Sequence, residues 1–390
     1  MTSTKPSLAL LREMSDEAVL RALMGGPRLT RAELAVLTGL SKPTVGEAVR
    51  RLEAAGLVRD TGERTTGRGG VGTYYALAAD AGLALAVSIA PQGVAVEVLN
   101  AAGGVTGRLV EPVRRPARPE AVTAVLARAA REALGGRRAR VAAVSAADPV
   151  DKATGELVHL PDAPFLLGAM SPAATLAPLV DGPVVVDNDV NWAARAEQAA
   201  RAGAGQANAA DDFVYLYLGE GVGCAVVTDG QVRRGHRGLA GEIAQVPVPG
   251  PDGTAMPLIE VFGRLGLRHA GSTAIDVGRL LAALSDGASN GASNGASNSV
   301  SGGAALARAL AAAVSAVLDA AVAFADPAFA VIGGPWGSAA PFAAELAAAL
   351  PARPRGIRVA PPRVSEDPSL AGARAAAVRS LRDDLVARSR

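Results

Sequence analysis

The chain has 390 residues, and its 39 lysines and arginines against 37 aspartates and glutamates leave a formal charge of only +2. That length fits two or three domains, and near-neutrality excludes a uniformly basic nucleic-acid binder, so any DNA contact must come from a local patch. One cysteine, Cys224, excludes an intramolecular disulfide and a cysteine-rich zinc site.

The opening run MTSTKPSLALLREMSDEAV has no apolar stretch of signal-peptide length. Ser15 reads as an N-cap, with Asp16 and Glu17 in the first turn and Val19, Leu20 and Leu23 on one face. Thr30-Arg-Ala-Glu33 is a capping box that opens a second helix, which Gly39 ends. Ser41 caps a third helix with Pro43 in its first turn, where the missing N–H is harmless. Val45, Val49 and Leu52 form its apolar stripe, and Gly56 stops it. Helix, glycine turn, helix is the helix-turn-helix spacing. Lys42, Thr44, Glu47, Arg50 and Arg51 are expected to point away from the stripe. The predicted DNA-binding set is Ser41, Lys42, Thr44, Glu47, Arg50 and Arg68, with Lys42 and Thr44 toward base edges and Arg50 toward phosphate. The run LVRDTGERTTGRGGVGTYYALA predicts two strands around a basic, glycine-rich tip. Such a wing places Arg68, flanked by glycines, for a minor groove. The stretch TRAELAVLTGLSKPTVGEAVRRLEAAGLV resembles winged helix-turn-helix repressors along its whole length.

From Gly82 the pattern changes to apolar strand runs: LALAVSIA, VAVEVLN, RVAAVSA, VVVDN, FVYLYLG, CAVVTDG and FAVIGG. Alanine-rich helical stretches lie between several of them, which predicts α/β architecture. The expected division is residues 1–80 for DNA binding and 81–390 for the rest. The repeat GASNGASNGASN, 287–298, is expected as a surface loop between two helices. The most apolar stretch, Ala304 to Gly334, is interrupted by Arg308, Asp319 and Asp326 and is expected not to span a membrane. Leu370 to Arg390 predicts a terminal helix. The expected setting is the cytoplasm, with no membrane partner.

Five segments, in order, resemble the ROK family of repressors and sugar kinases. LALAVSIAPQGVAVEVLNAAGGV is similar to the opening hairpin of the actin-like ATPase fold, and SAADPVDKATGELVHLPDAPF to the sugar-binding segment. VVVDNDVNWAARAE resembles the Asn-Asp-Ala-Asn motif. VYLYLGEGVGCAVVTDGQVRRGHRGLAGEIAQ resembles the second phosphate loop with the family signature, and FAVIGGP the adenosine segment. With the preceding wing, the whole resembles the family's repressors, among them those responding to xylose and N-acetylglucosamine. The resemblance implies a winged helix-turn-helix followed by a two-lobed, actin-like (ribonuclease H-like) α/β domain. Its lobes would be about 81–200 with the C-terminal helix, and 201–370. It also implies a sugar or sugar derivative as effector, a double-stranded operator, and assembly as a homodimer or dimer of dimers.

The departures from the family bear on chemistry. Kinases of this fold carry an Asp and glycines in the first loop, where this chain has Ser88-Ile-Ala-Pro-Gln-Gly93. Ser88 replaces the carboxylate that helps hold Mg²⁺, and Pro91 removes an N–H donor. Gly219-Glu-Gly-Val-Gly223 remains, but glycines there equally serve a tight turn. Gln245 stands in the position of the zinc-binding His, and the cysteines of that site are absent, so no metal or cofactor is expected. Asn188, Asp189, Glu242 and Glu260 match family positions that contact sugar hydroxyls, and Gln245 is a candidate hydroxyl partner. Asp189 matches the catalytic base of the kinases and is expected here only to anchor a hydroxyl. Ala147-Asp148 replaces a Pro-Gly pair, and Asp162 stands where Asn is usual. His159 and His236 read as surface or structural residues. The expected protein is a sugar-responsive repressor without catalytic residues. The alternatives are a sugar kinase with an N-terminal module, and a regulator whose second part is a ligand-insensitive scaffold.

Overall fold

The computed structural model describes residues 7–65, 71–160, 165–203, 211–289, 300–350 and 356–389. The first helix, α1 (Leu8–Met24), begins eight residues before the sequence suggests. Ser7 is its cap, its Oγ accepting the Leu10 N–H at 3.2 Å. Ser15 lies inside the helix, and its hydroxyl donates to the Arg12 carbonyl at 2.8 Å. A serine followed by acids looks like a cap in sequence, but here Ser15 and Asp16 are buried because Arg51 reaches them from the third helix.

β1 (Leu29–Thr30) leads into α2 (Arg31–Thr38), opened by the expected capping box. Glu33 Oε2 accepts the Thr30 N–H at 2.7 Å, and Thr30 Oγ1 accepts the Glu33 N–H at 3.2 Å. Gly39 takes a left-handed φ of 69°, which turns the chain into α3 (Lys42–Ala54), capped by Ser41. β2 (Val58–Arg64) and β3 (Thr73–Leu77) follow, giving a sheet of order β1-β3-β2. The tip between them, with Arg68, lies outside the described residues.

The next sheet is built from β4 (Leu83–Ala90), β5 (Gly93–Asn100), β6 (Val105–Glu111), β7 (Val141–Ala146) and β8 (Val184–Asn188). α4 (Pro119–Leu134) precedes β7, and α5 (Pro172–Leu176) precedes β8. α6 (Asp189–Gly203) then leads to β9 (Phe213–Leu218), β10 (Val222–Thr228) and β11 (Gln231–Val232). A small hairpin, β12 (Pro247–Pro249) and β13 (Ala255–Pro257), is followed by α7 (Leu258–Arg264), α8 (Val277–Ser289) and α9 (Val300–Ala325). β14 (Phe329–Gly333), α10 (Ala340–Ala349), β15 (Val359–Ala360) and α11 (Pro368–Arg388) complete the chain order. α8 continues into the start of the Gly-Ala-Ser-Asn repeat, and 290–298 lie outside the described residues.

The two large sheets share one topology. Their orders are β6-β5-β4-β7-β8 and β11-β10-β9-β14-β15, so each places its strands 3-2-1-4-5. In both, the first three strands are antiparallel and the last two join in parallel. The inner strands β7 and β14 are buried throughout, as strands covered on both faces must be. Alternation along β4 sorts its residues: Leu85, Val87 and Ile89 join the core under α4, while Ala84 and Ala86 face α11. Those alanines let α11 lie close to the sheet. In the second sheet Val214, Leu216 and Leu218 face the α8–α9 side, and Phe213 and Tyr215 face α6. α6 thus touches both sheets.

Among the described residues one helix, Gly302–Ala325 within α9, has the length and composition to cross a membrane. Half of its apolar window is buried, with Leu310, Ala311, Val314 and Leu318 in the second core. The head joins the rest through α1, which packs on α11, and the buried residues of both form one continuous cluster.

Candidate functional site

The DNA-facing candidates sit at one end and along the outer side of α3. Ser41, Lys42, Glu47 and Arg50 are exposed, and Thr44 is half-buried. Ser41 Oγ accepts the Thr44 N–H at 3.3 Å and shares a 2.8 Å hydrogen bond with the Thr44 hydroxyl. Glu47 and Arg50 pair with each other one turn apart. Arg51 does not share this face. Its guanidinium turns inward, with Nε 2.9 Å from Asp16 Oδ2 and Nη2 2.6 Å from Asp16 Oδ1, and Nη2 also donates to Ser15 at 3.3 Å. Position 51 lies next to the stripe on the helical wheel, so a long side chain there reaches α1 as readily as solvent.

The second site is a cavity of about 740 Å³ between the two large sheets. Ser88, Ala90 and Pro91 enter it from the first hairpin, and Asn188 and Asp189 from the β8–α6 junction. The turn 220–223 and Glu242 enter from the second sheet, and Asp367 to Leu370 from the start of α11. Gly93, with φ 140°, fits the first turn against the Glu111 carbonyl, where a β-carbon would stand 2.2 Å from the oxygen. Gly241, with φ 97°, does the same beside β10. Its carbonyl accepts the Cys224 N–H at 3.0 Å, and a β-carbon would stand 1.7 Å from the Cys224 carbonyl oxygen. That contact holds the segment carrying Glu242 against the cleft.

Asn188 closes β8. Its Nδ2 donates to the Asp148 carbonyl at 3.3 Å, and its Oδ1 accepts the Val190 N–H at 2.9 Å. Asp189 opens α6, its Oδ1 also accepting from Val190 at 2.8 Å. It keeps some surface open to the cavity while protein encloses it. Burial pushes its carboxyl up to about 7, with the nearby Asp148 charge adding to the rise and the Val190 N–H opposing it. Asp148 is fully buried, and burial pushes it up to about 6 against the Leu166 N–H and the charge of His159. Its Oδ1 accepts from Leu166 at 3.4 Å, and its Oδ2 has no hydrogen-bond partner among the described residues.

The five sugar-site candidates are not all brought together. Asn188, Asp189 and Glu242 line the cavity; Gln245 and Glu260 are exposed outside its lining. Glu260, in the first turn of α7, pairs with Arg268 at 3.0 Å. Asp162 lies outside the described residues. His159 is exposed with Nδ1 2.9 Å from the Leu166 carbonyl, and His236 is exposed.

Two cavity features escape sequence reasoning, and a third residue behind the lining, Asp148, is marked in the sequence only as replacing a glycine. Tyr217 lies against Gly219, where a β-carbon would stand 2.6 Å from the ring. Glu220, in the turn between β9 and β10, accepts two hydrogen bonds from Arg115 at 2.6 and 3.1 Å. Asp148 places a carboxyl beside Asp189. The visible signal was an acid inside a glycine turn that suits anions only without one; nothing marked Arg115.

A model of the ROK family matches residues 115–258, and one of the MarR family matches residues 18–69. The glucokinase of Streptomyces coelicolor is 28% identical over 172 residues, which are 44% of this chain and 51% of that protein. The chain thus spans about half the length of the curated relatives it matches first. A solved ROK family transcriptional regulator, homolog of the E. coli MLC protein, is 18% identical with a TM-score of 0.61, covering 97% of this chain and 98% of its own. A ROK family glucokinase from Streptomyces griseus, in complex with glucose and AMPPNP, is 21% identical with a TM-score of 0.53, covering 76% of this chain and all of its own. The chain carries a MarR-type winged helix-turn-helix ahead of a ROK-family domain of the two-lobed, actin-like ATPase fold.

Proposed function

We propose that the protein is a DNA-binding transcriptional regulator, a repressor of carbohydrate genes, whose ROK domain senses a sugar and no longer transfers phosphate. One observation carries the reading: a winged helix-turn-helix with an exposed recognition-helix end is fused to a kinase-like cleft with Ser88, Pro91 and a Glu220–Arg115 pair at its two turns. The head would occupy residues 1–80, and the sensor 81–390, with lobes of about 81–200 plus the C-terminal helix and 201–370. The partners are a double-stranded operator with inverted half-sites, a sugar or sugar derivative, and a second copy in a homodimer or dimer of dimers, in the cytoplasm. Lys42 and Thr44 would read bases with Ser41 and Glu47 beside them, Arg50 would meet a phosphate, and Arg68 a minor groove. Asn188, Asp189 and Glu242 would hold hydroxyls. Gln245 and Glu260 would join them once the lobes close.

The test pairs operator selection from genomic fragments using the full chain with a thermal-shift screen of sugars, since a ligand of the folded state raises the melting temperature. Selection of a palindrome whose affinity changes with a responding sugar supports the proposal; no selected sequence sinks it. An ADP-release assay with hexoses distinguishes the kinase reading, which the glucokinase likeness favours; turnover near about 1 per second would establish it. Glu260 held by Arg268 favours a ligand-insensitive scaffold, which requires that no sugar shift the melt or the operator affinity.

A further inference from the structure

The two sheets meet across the cavity at contacts of different strength. One is backbone: the Lys152 N–H donates to the Arg237 carbonyl at 3.1 Å, and Gly238 lies so near Val150 that a β-carbon would stand 2.1 Å from its carbonyl oxygen. A second ties Asp187 of β8 to Arg234, with Nε 3.1 Å from Oδ1, and that aspartate is buried. The third is a single side chain in water. Arg115, between β6 and α4, extends Nη1 to Glu220 Oε2 at 2.6 Å and Nη2 to Glu220 Oε1 at 3.1 Å. The same guanidinium donates from Nη2 and Nε to the Pro91 carbonyl at 3.0 and 3.3 Å. One planar fork therefore ties the turn of the first hairpin to the turn of the second sheet, using a carboxylate on one and a carbonyl on the other.

We propose that Arg115 and Glu220 form a salt-labile latch that holds the two lobes together where their turns converge, so that the cavity opens and closes by breaking and remaking it. Pro91 and Glu220 both line the cavity, so the pair stands at its edge. The side chains are 45% and 23% exposed, so ions reach the pair and its strength falls with screening, unlike the buried Asp187 contact. The fork also gives the latch direction: a lysine or a lone carboxamide cannot engage both turns at once. The proposal is independent of which sugar binds and of DNA binding, and its test reads neither.

Cys224 is buried, so cysteines introduced by Ala124→Cys on α4 and Ala348→Cys on α10, both exposed positions, take spin labels selectively in the full chain. The distance between the labels, measured by pulsed electron resonance, should be narrowly distributed at low salt. It should broaden to longer values near about 1 M salt, where the screening length is about 3 Å. Arg115→Ala and Glu220→Gln should each give the broad distribution already at low salt. The exchange Arg115→Glu with Glu220→Arg re-forms the ion pair without the bonds to the Pro91 carbonyl, so it should narrow the distribution relative to either single variant, which a merely disturbed fold would not do. A distribution in Arg115→Ala superimposable on the parent overturns the latch, as does an exchanged pair as open as either single variant.

Discussion

The carbonyl oxygen of Trp192 in α6 abuts Gly372 in α11 so closely that a β-carbon on Gly372 would stand 2.0 Å from it. Trp192 is itself pinned, its indole N–H donating to the Val144 carbonyl of β7 at 2.9 Å. Further along α6, Glu197 accepts the Arg363 and Val364 N–H groups at 2.9 and 3.2 Å, fixing the segment that leads into α11. The helix that begins at Asp189 and the helix that supports the DNA-reading head are thus locked as one body. Gly372→Ala should force them apart and cost about 1–3 kcal/mol or more, as overpacking does. Urea denaturation checks it; an unchanged midpoint refutes the close approach.

The Arg51–Asp16 pair should govern the stability of the head rather than its contact with DNA. Charged hydrogen bonds of this kind contribute about 1.5–3 kcal/mol, and Asp16 is only 9% exposed. Arg51→Ala should lower stability by that order, and Arg51→Lys should recover only part, having no fork to span both oxygens. Operator affinity measured well below the melting temperature should change little in either variant. A large loss of affinity without loss of stability would put Arg51 back on the DNA face.

Asp148 should make the protein less stable as pH rises. Its carboxyl, pushed up to about 6 in the fold, stays protonated where the unfolded chain has already lost its proton near pH 4. The folded state then binds more protons, so the Asp148 contribution to stability falls between about pH 4 and pH 6 and is flat above, where Asp189, pushed up to about 7, continues the decline. Asp148→Asn removes this term, which amounts to roughly 2–3 kcal/mol for a shift of about two units. The variant should therefore gain on the parent between about pH 4 and pH 6 and hold that gain at higher pH in denaturant titrations. Parallel stability curves would refute the buried carboxyl as the source.

Asp189→Asn keeps the shape of the side chain and removes its charge. A hydroxyl held by the carboxylate would lose about 1.5–3 kcal/mol, which is roughly tenfold to a hundredfold in sugar affinity. Operator binding without sugar should be unaffected. Calorimetric titration with the sugar that shifts the parent's melt decides it, and an unchanged dissociation constant would remove Asp189 from the ligand contacts.

On α3 the expected roles separate by salt. Arg50→Ala should weaken binding to every sequence and lower the log–log salt slope by about one. Lys42→Ala should relax preference at one or two operator positions. If Arg50→Ala left the slope unchanged, its pairing with Glu47 would persist in the complex.

Local signals carried most of the fold. The seven apolar runs became β4, β5, β7, β8, β9, β10 and β14 because buried parallel and inner strands need continuous branched or small apolar residues. The capping box of α2, the Ser41 cap of α3 and the glycine stops of both were legible because their partners lie three or four residues away. What escaped depends on distance. Ser15-Asp16-Glu17 has the composition of a cap, and only Arg51, 35 residues on from Asp16, explains why it sits inside α1. Arg50 and Arg51 are equivalent by composition and differ by what α1 offers one of them. Glu260 has the right position by resemblance, yet Arg268 engages it away from the cavity lining. The strands of two or three residues, β1, β11, β12, β13 and β15, are too short for any period to show.

The shared apolar layer between α1 and α11 has a consequence for the order of synthesis. Leu381, Leu385 and Val386 lie in the same buried cluster as Val19 and Leu20, so α1 rests on a helix made more than 340 residues later. At about 5–20 residues per second, that interval is on the order of half a minute. The head emerges long before its support exists, and a nascent chain cannot hold its reading helix in the finished position until the sensor behind it has folded and α11 has closed the layer.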